Sequence, residues 1–440
     1  MNPYDFVVAE GTREEVKKRP AGHDLFTGNS GIIHCRMITE GPLFIANGEE
    51  KPTSEEHKKL EFFTSEGKPA IPGSSLKGMT RSVAEAVADS CMVLCSGSYR
   101  HSRIKDKNTE FQIPRTLKSC TSIDHLCITC RMFGMMQQND PKSKLKSQKL
   151  SLFKGKASFS DGKLLNNDFE LMPWQIVPEL SSPKPQHRPF YESDHRVRGR
   201  KFYYHQASLS NFKTKRNVSI QPIQNAIFGF EVNFQNLTDE EFELLLYSLV
   251  LEPGMRHKIG MGKPLGLGSV RIGVEEVEIL NIAERYSSLE GGVTGYEGEK
   301  LGEFMETQLK KFRESQNSNM VTLRRIWQWP PLKEEFGYPG YNWFKDNPGI
   351  SLEEYNQQTA EKNSPEQVNK EQSRPAYQQC PGLGQTNDQL RREAAAGRDF
   401  KDRKSQTERS HSGSPVRTFG EINSMSQIRI ISKDDGAKKK

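Results

Sequence analysis

The chain has 440 residues, a net charge of +7 and 34% hydrophobic residues, with a mean hydropathy of -0.74 and a pI near 8.8. That length holds about two or three domains of ~150 residues, while the low hydropathy implies that part of the chain stays disordered. No apolar run approaches the ~20 residues of a bilayer span, and the opening Met1-Asn-Pro-Tyr-Asp-Phe6 lacks a secretory pattern, so a cytoplasmic protein with no membrane partner is expected.

Gly31 to Thr39 alternates as a strand, with Ile33, Cys35 and Met37 on one side and His34 and Arg36 on the other. His23 and Asp24 precede it and form a possible acid/base pair. From Ala46 to Lys68 the chain is charged and irregular and reads as an exposed loop. Its carboxylates are Glu49, Glu50, Glu55 and Glu56, with no Asp between Asp24 and Asp89.

Pro69 to Arg81 joins a short apolar segment to an amphipathic helix running from Ser75 to about Ser90, with Leu76, Met79, Val83 and Val87 on one face. Ser74 or Ser75 is expected to cap its first amides, and Lys77 and Arg81, four apart, sit together on the polar side. Free helix amides beside two cations suit a phosphate.

Five of the seven cysteines, Cys91, Cys95, Cys120, Cys127 and Cys130, crowd into forty residues. In a cytosolic chain such crowding points to metal before disulfides. Cys127-x2-Cys130 supplies two ligands from one tight turn and Cys120 a third, which suits a tetrahedral Zn2+. The fourth is Cys91 or Cys95, with His101 and His125 as outside candidates.

Gly155 to Asp161 reads as a strand ending in a turn. The segment 181–205 then mixes cations with aromatic rings, notably Arg196, Arg198, Arg200, Lys201, Phe202, Tyr203 and Tyr204. Guanidinium groups pair with phosphates and rings stack on unpaired bases, a chemistry that fits single-stranded RNA. Ile227 to Phe234 alternates as a second long strand, and Thr238 caps a helix carrying Phe242, Leu245, Leu246 and Leu249. A glycine-rich loop follows, with Lys258, Gly260, Gly262, Lys263, Gly266 and Gly268, and it enters a strand at Ser269. A dinucleotide fingerprint needs a helix there. Backbone amides in such a loop approach phosphates closely.

These motifs together resemble the RAMP superfamily, the RNA-binding subunits of CRISPR effector complexes. The resemblance rests on the opening from His23 to Ile45, Ile71-Pro-Gly-Ser-Ser-Leu-Lys-Gly-Met-Thr-Arg81, Cys127-Ile-Thr-Cys-Arg-Met-Phe-Gly134, the strand ending Ser160-Asp161, and the glycine-rich loop. Pro183-Lys-Pro185 with Arg198-Gly-Arg-Lys-Phe-Tyr203 resembles the type III-D associated branch. It implies an α+β, RRM-like or ferredoxin-like fold over 1–285, with a zinc-binding insertion at about 91–134. A helical and aromatic appendix at 286–353 and a disordered polar tail at 354–440 complete the expected organisation.

The function implied is a backbone subunit of a type III effector that holds guide RNA for pairing with target RNA, alongside other subunits. Ser74, Ser75, Lys77, Arg81, the 196–203 cations with Tyr203, and the glycine loop would grip the guide, and the Zn2+ would be structural. The alternative is an endoribonuclease. It would cut target RNA with Glu49 or Glu50 and Mg2+, or precursor transcript with His23, His205 or His257 as acid or base. A third reading is a zinc protein acting through protein contacts alone.

Overall fold

The computed structural model describes residues 1–11, 17–54, 57–92, 113–137, 151–180, 187–193, 196–209, 216–287 and 291–362. Its main elements begin with β1 (Tyr4–Val8), β2 (Asn29–Thr39), β3 (Ala46–Ser54), β4 (His57–Phe62), β5 (Lys68–Ile71) and α1 (Gly73–Val87). Next come α2 (Ile128–Phe133), β6 (Ala157–Phe159), β7 (Gly162–Leu164), β8 (Gln175–Pro178), β9 (Gly199–Tyr203), β10 (Asn217–Ile220), β11 (Ile227–Leu237) and α3 (Asp239–Val250). The last are β12 (His257–Lys258), β13 (Ser269–Leu280), β14 (Val293–Glu297), α4 (Gly298–Arg313), α5 (Ser318–Ile326) and α6 (Leu352–Lys362).

The two long alternating stretches pair antiparallel along their length, with Cys35 opposite Phe230 and Ile33 opposite Val232. β13 adds on the other side of β2, giving the order β12-β13-β2-β11-β7-β5. With α1 between β2 and β7 and α3 between β11 and β13, this is the split βαβ arrangement of a ferredoxin-like α+β fold. Period-two alternation puts Ile33, Cys35, Met37, Phe228, Phe230, Val232 and Phe234 on one buried face. Leu76, Met79 and Val83 of α1 and Phe242, Leu245 and Leu249 of α3 cover it.

Each helix starts for a different reason. Thr238 and Glu241 form a reciprocal capping box at α3: the Glu241 N–H donates to Thr238 Oγ1 at 3.3 Å, and the Thr238 N–H to the Glu241 carboxylate at 3.2 Å. At α1 the expected serine cap is absent. Pro72 occupies the cap position without a side-chain bond, and the Gly73 N–H donates instead to Asp161 Oδ1 at 2.7 Å. Gly73 lets the helix approach β6 so closely that a Cβ there would lie 2.4 Å from the Phe159 carbonyl oxygen. α1 therefore begins two residues before Ser75 and ends at Val87.

The stretch from Ala46 to Lys68 is not a loop. β3 and β4 form a hairpin in a four-stranded sheet ordered β8-β10-β4-β3. Leu60 and Phe62 of β4 pack with Val177, Val218 and Ile220, so two apolar side chains among many charges suffice to seat the strand. The appendix docks on the core: Trp327 is 3% exposed and meets Phe202 edge to face at 5.0 Å. Residues 352–362 are helical, so the start of the expected tail is structured, with Leu352 buried against Tyr4 and Phe190. The rest of the tail lies outside the described residues, as do Cys95, Glu55, Glu56 and His101.

Glu241 also anchors the packing. Its buried carboxylate takes Arg131 Nε at 2.6 Å and Lys156 Nζ at 3.2 Å. A buried pair that loses one partner leaves an uncompensated charge. Glu241→Gln is expected to lower unfolding free energy by about 3–5 kcal/mol, measured by denaturant titration; a loss under about 1 kcal/mol, the range of an exposed pair, would refute this account.

Candidate RNA groove and metal centre

Three stretches far apart in sequence meet in an open groove of about 540 Å³. α1 contributes Ser75, Gly78, Met79 and Ser82; β9 contributes Lys201, Phe202 and Tyr203; the glycine loop contributes Lys258, Ile259, Gly260, Met261 and Lys263. Trp327, Ile45 and Ala46 complete the wall. Among the described lining residues three lysines stand with serine, methionine and aromatic groups, and none of those residues is a carboxylate.

The groove owes its cationic character to its lysines, and exclusion of water works against it. Burial lowers the Lys201 ammonium to about 8 and Lys258 to about 7, and it lowers Lys263 as well. Lys201 Nζ lies 3.6 Å from the Tyr4 ring centre and 5.0 Å from that of Tyr203, a cation–π clasp that holds it at the rim. Lys258 is 3% exposed, and its Nζ donates to the carbonyl oxygens of Lys263 at 3.2 Å and Leu267 at 3.0 Å. It shapes the loop from within. Gly260 (φ +82) and Gly268 (φ +84) serve the same end: a Cβ would meet the Phe44 carbonyl oxygen at 2.4 Å and the Ile259 carbonyl oxygen at 1.9 Å. Gly262 and Gly266 also have positive φ and flank the turn Lys263–Leu265.

Other residues expected to touch RNA lie elsewhere. Lys77 and Arg81 are absent from the groove lining, since positions 77 and 81 turn away from 75, 78 and 82 on a helix. Ser74 is exposed beside it. Arg200 is buried, donating to Asp89 Oδ1 at 3.2 Å and to the Ser90 carbonyl. Arg198 pairs with Glu353 and donates to the Pro189 carbonyl at 3.1 Å. Arg196 is exposed on a short strand at 196–197. Trp327, which the sequence marked only as part of an aromatic appendix, joins the groove because cores, not local patterns, place it.

The candidates for acid–base chemistry fare unevenly. His205 accepts from Ser269 Oγ at 2.8 Å and donates to the Arg256 carbonyl at 3.0 Å, and burial lowers it to about 3. His257 donates to the Leu249 carbonyl at 2.8 Å, and burial lowers it to about 4. Both rings are buried and bonded within the core, with no access to a substrate as general acids or bases. His23 donates to the Lys154 carbonyl at 3.0 Å and stacks on Phe153. Glu49 is exposed and Glu50 follows it on the edge strand β3. On the solvent face of the central sheet His34 stands 3.3 Å from Glu278 and 3.7 Å from Glu231, with Glu276 in reach. Those carboxylates make this face unfavourable to phosphate.

The cysteines form a second site. Cys91, Cys120, Cys127 and Cys130 are all buried, with their sulfurs within 4.8 Å of one another. Cys91 and Cys130 Sγ are 3.5 Å apart and Cys91 and Cys127 Sγ 3.6 Å. Tetrahedral thiolates around a metal at about 2.3 Å stand about 3.8 Å apart, so these side chains already have the spacing of a four-sulfur metal site. The neighbouring thiols, Cys120 foremost, hold Cys127 well below its usual range. Between Cys91 and Cys95 the described geometry uses Cys91.

The family model of the RAMP superfamily matches residues 36–271. The chain belongs to the RAMP superfamily. No curated protein matches it. The crystal structure of Thermofilum pendens Csc2 is similar at 15% sequence identity over 69% of this chain and 85% of that one, with a TM-score of 0.29. No helix among the described residues is long and apolar enough to cross a membrane.

Removing Cys91 tests the metal centre. Wild-type protein is expected to hold one metal per chain by elemental analysis, Cys91→Ser to lose most of it, and Cys95→Ser to keep it. Retention by Cys91→Ser with loss by Cys95→Ser would reverse the assignment.

Proposed function

We propose that the groove binds single-stranded RNA and that the chain is a guide-binding backbone subunit of a type III CRISPR effector, holding the guide for pairing with target RNA. The observation that carries this reading is the convergence of the start of α1, the basic-aromatic strand and the glycine loop on one groove. Lys201 and Lys263 supply the charge for phosphates, and the backbone at Gly260 allows close approach. Tyr203 offers its ring to an unpaired base, and the buried Trp327 backs the wall behind it. None of these groups reads sequence, so the bases stay free for complementary pairing, and the work is scaffolding.

The thiolate set suits Zn2+, whose tetrahedral preference four sulfurs fill, leaving no position for water or substrate. Bound Zn2+ would supply folding energy to the 91–134 insertion. Target cleavage with Mg2+ keeps Glu49 and Glu50 as its carboxylates, and Glu49 is not among the described groove residues.

Protein co-expressed with a guide array is expected to retain guide RNA. Replacing Lys201 and Lys263 by Met should weaken binding and reduce the slope of log affinity against log salt by about 1 for each phosphate no longer neutralised. Complementary target should remain intact with Mg2+; cutting that disappears on Glu49→Gln and Glu50→Gln would make this subunit a nuclease instead. Metal-loaded, folded protein without RNA would overturn the RNA reading and leave protein contacts alone.

Acidity provides a separate check. Phosphate favours a protonated lysine, so binding takes up protons above the free-groove value of about 8 for Lys201. RNA affinity, measured by fluorescence anisotropy at constant ionic strength, should be full below pH 7 and fall as pH rises to 9. A flat profile would remove Lys201 from the interface.

A further inference from the structure

α1 has two working faces. Ser75, Gly78 and Ser82 line the groove, while Arg81 reaches the cysteine cluster. The Arg81 guanidinium makes three contacts: Nε to Glu85 Oε1 at 2.7 Å, Nη1 to the Gly134 carbonyl at 3.2 Å, and Nη2 to Cys130 Sγ at 3.8 Å. Gly134 ends α2, the helix whose start and middle carry Cys127 and Cys130. One planar group thus spans the guide-facing helix, the end of α2 and a ligand sulfur.

We propose that Arg81 is a positioning residue of the metal centre: its fork donates to the Cys130 sulfur and the Gly134 carbonyl, retaining the metal and latching α1 to the insertion. The inference rests on the metal reading above. Four thiolates around a divalent cation carry two net negative charges, which a buried cluster cannot shed to water. A guanidinium donates to two acceptors at once and stays charged, whereas an ammonium provides a point charge without the fork. Glu85 holds the third nitrogen, fixing the plane of the group. The same contacts explain why Arg81 does not reach into the groove despite its place in the signature.

Outer-sphere partners of this kind typically change metal affinity by about 10- to 100-fold. The test is metal release. Full-length protein is loaded with Zn2+, and transfer to a chromogenic chelator is timed for wild type, Arg81→Met, Arg81→Lys and Lys77→Met. Lys77 is the charge control, one turn earlier on the helix. Release from Arg81→Met should be about 10-fold faster, that from Arg81→Lys intermediate, and that from Lys77→Met unchanged. In the Co2+ form, the thiolate-to-metal charge-transfer band should move in both Arg81 variants and stay fixed in Lys77→Met, a response that mere loosening of α1 would not give. If Arg81→Met is insoluble, Arg81→Lys decides, and a wild-type release rate with an unmoved band overturns the proposal. Wild-type protein that holds neither metal overturns the metal reading and this inference together; metal held and released equally by all four proteins overturns this inference alone.

Discussion

Glu241 is a carboxylate with no access to water, facing two cations from different parts of the chain. Burying such a group is costly unless every oxygen is paired. Arg131 comes from α2, in the cysteine-bearing insertion, and also donates to the Leu126 carbonyl at 2.9 Å. Lys156 precedes β6 and donates to the Asn236 carbonyl at 2.8 Å, at the end of β11. The carboxylate itself belongs to the capping box of α3. One buried network therefore fixes the insertion, the split second strand and the second helix relative to each other. A shift of any of these would strand a charge, which makes the arrangement specific as well as stable.

The same reasoning separates cations that hold the fold from cations left for a ligand. Arg131, Arg200 and Lys156 are buried and already paired. Lys258 is buried and engaged by two loop carbonyls. Lys201 and Lys263 retain an opening to the groove. Sequence alone scores all of these as basic residues near motifs, yet a charge engaged by a buried carboxylate has no free energy to offer a phosphate. This is why the cationic surface is smaller than the composition suggested, and why it is concentrated where aromatic and backbone groups also converge.

What was legible in the sequence is what depends on local pattern. The alternation of β2 and β11, the apolar faces of α1 and α3, and the Thr238 cap follow from periodicity and from hydrogen bonds made within a few residues. The hairpin of β3 and β4 did not, because Leu60 and Phe62 find their partners more than a hundred residues away, in β8 and β10. Asp161 replaces the serines at α1 for a related reason: the cap crosses 88 positions of sequence. The glycine loop was recognised, but two of its glycines, Gly260 and Gly268, answer to the close passage of backbone at Phe44 and Ile259.

α1 shows how one short signature can satisfy two neighbours. A helix repeats its faces every 3.6 residues, so Ser75, Gly78 and Ser82 open towards the groove while Arg81 and Glu85 face the cysteines. Small side chains on the first face leave room for a ligand, and the forked cation on the second draws the helix onto the insertion. The buried third face, Leu76, Met79, Val83 and Val87, sets the distance of both from the sheet. Any displacement of the insertion must then be felt along α1 at the groove, because a close-packed core transmits a shift rather than absorbing it. The basic residue of the signature is thereby tied, through Glu85, Gly134 and Cys130, to the architecture that shapes the groove.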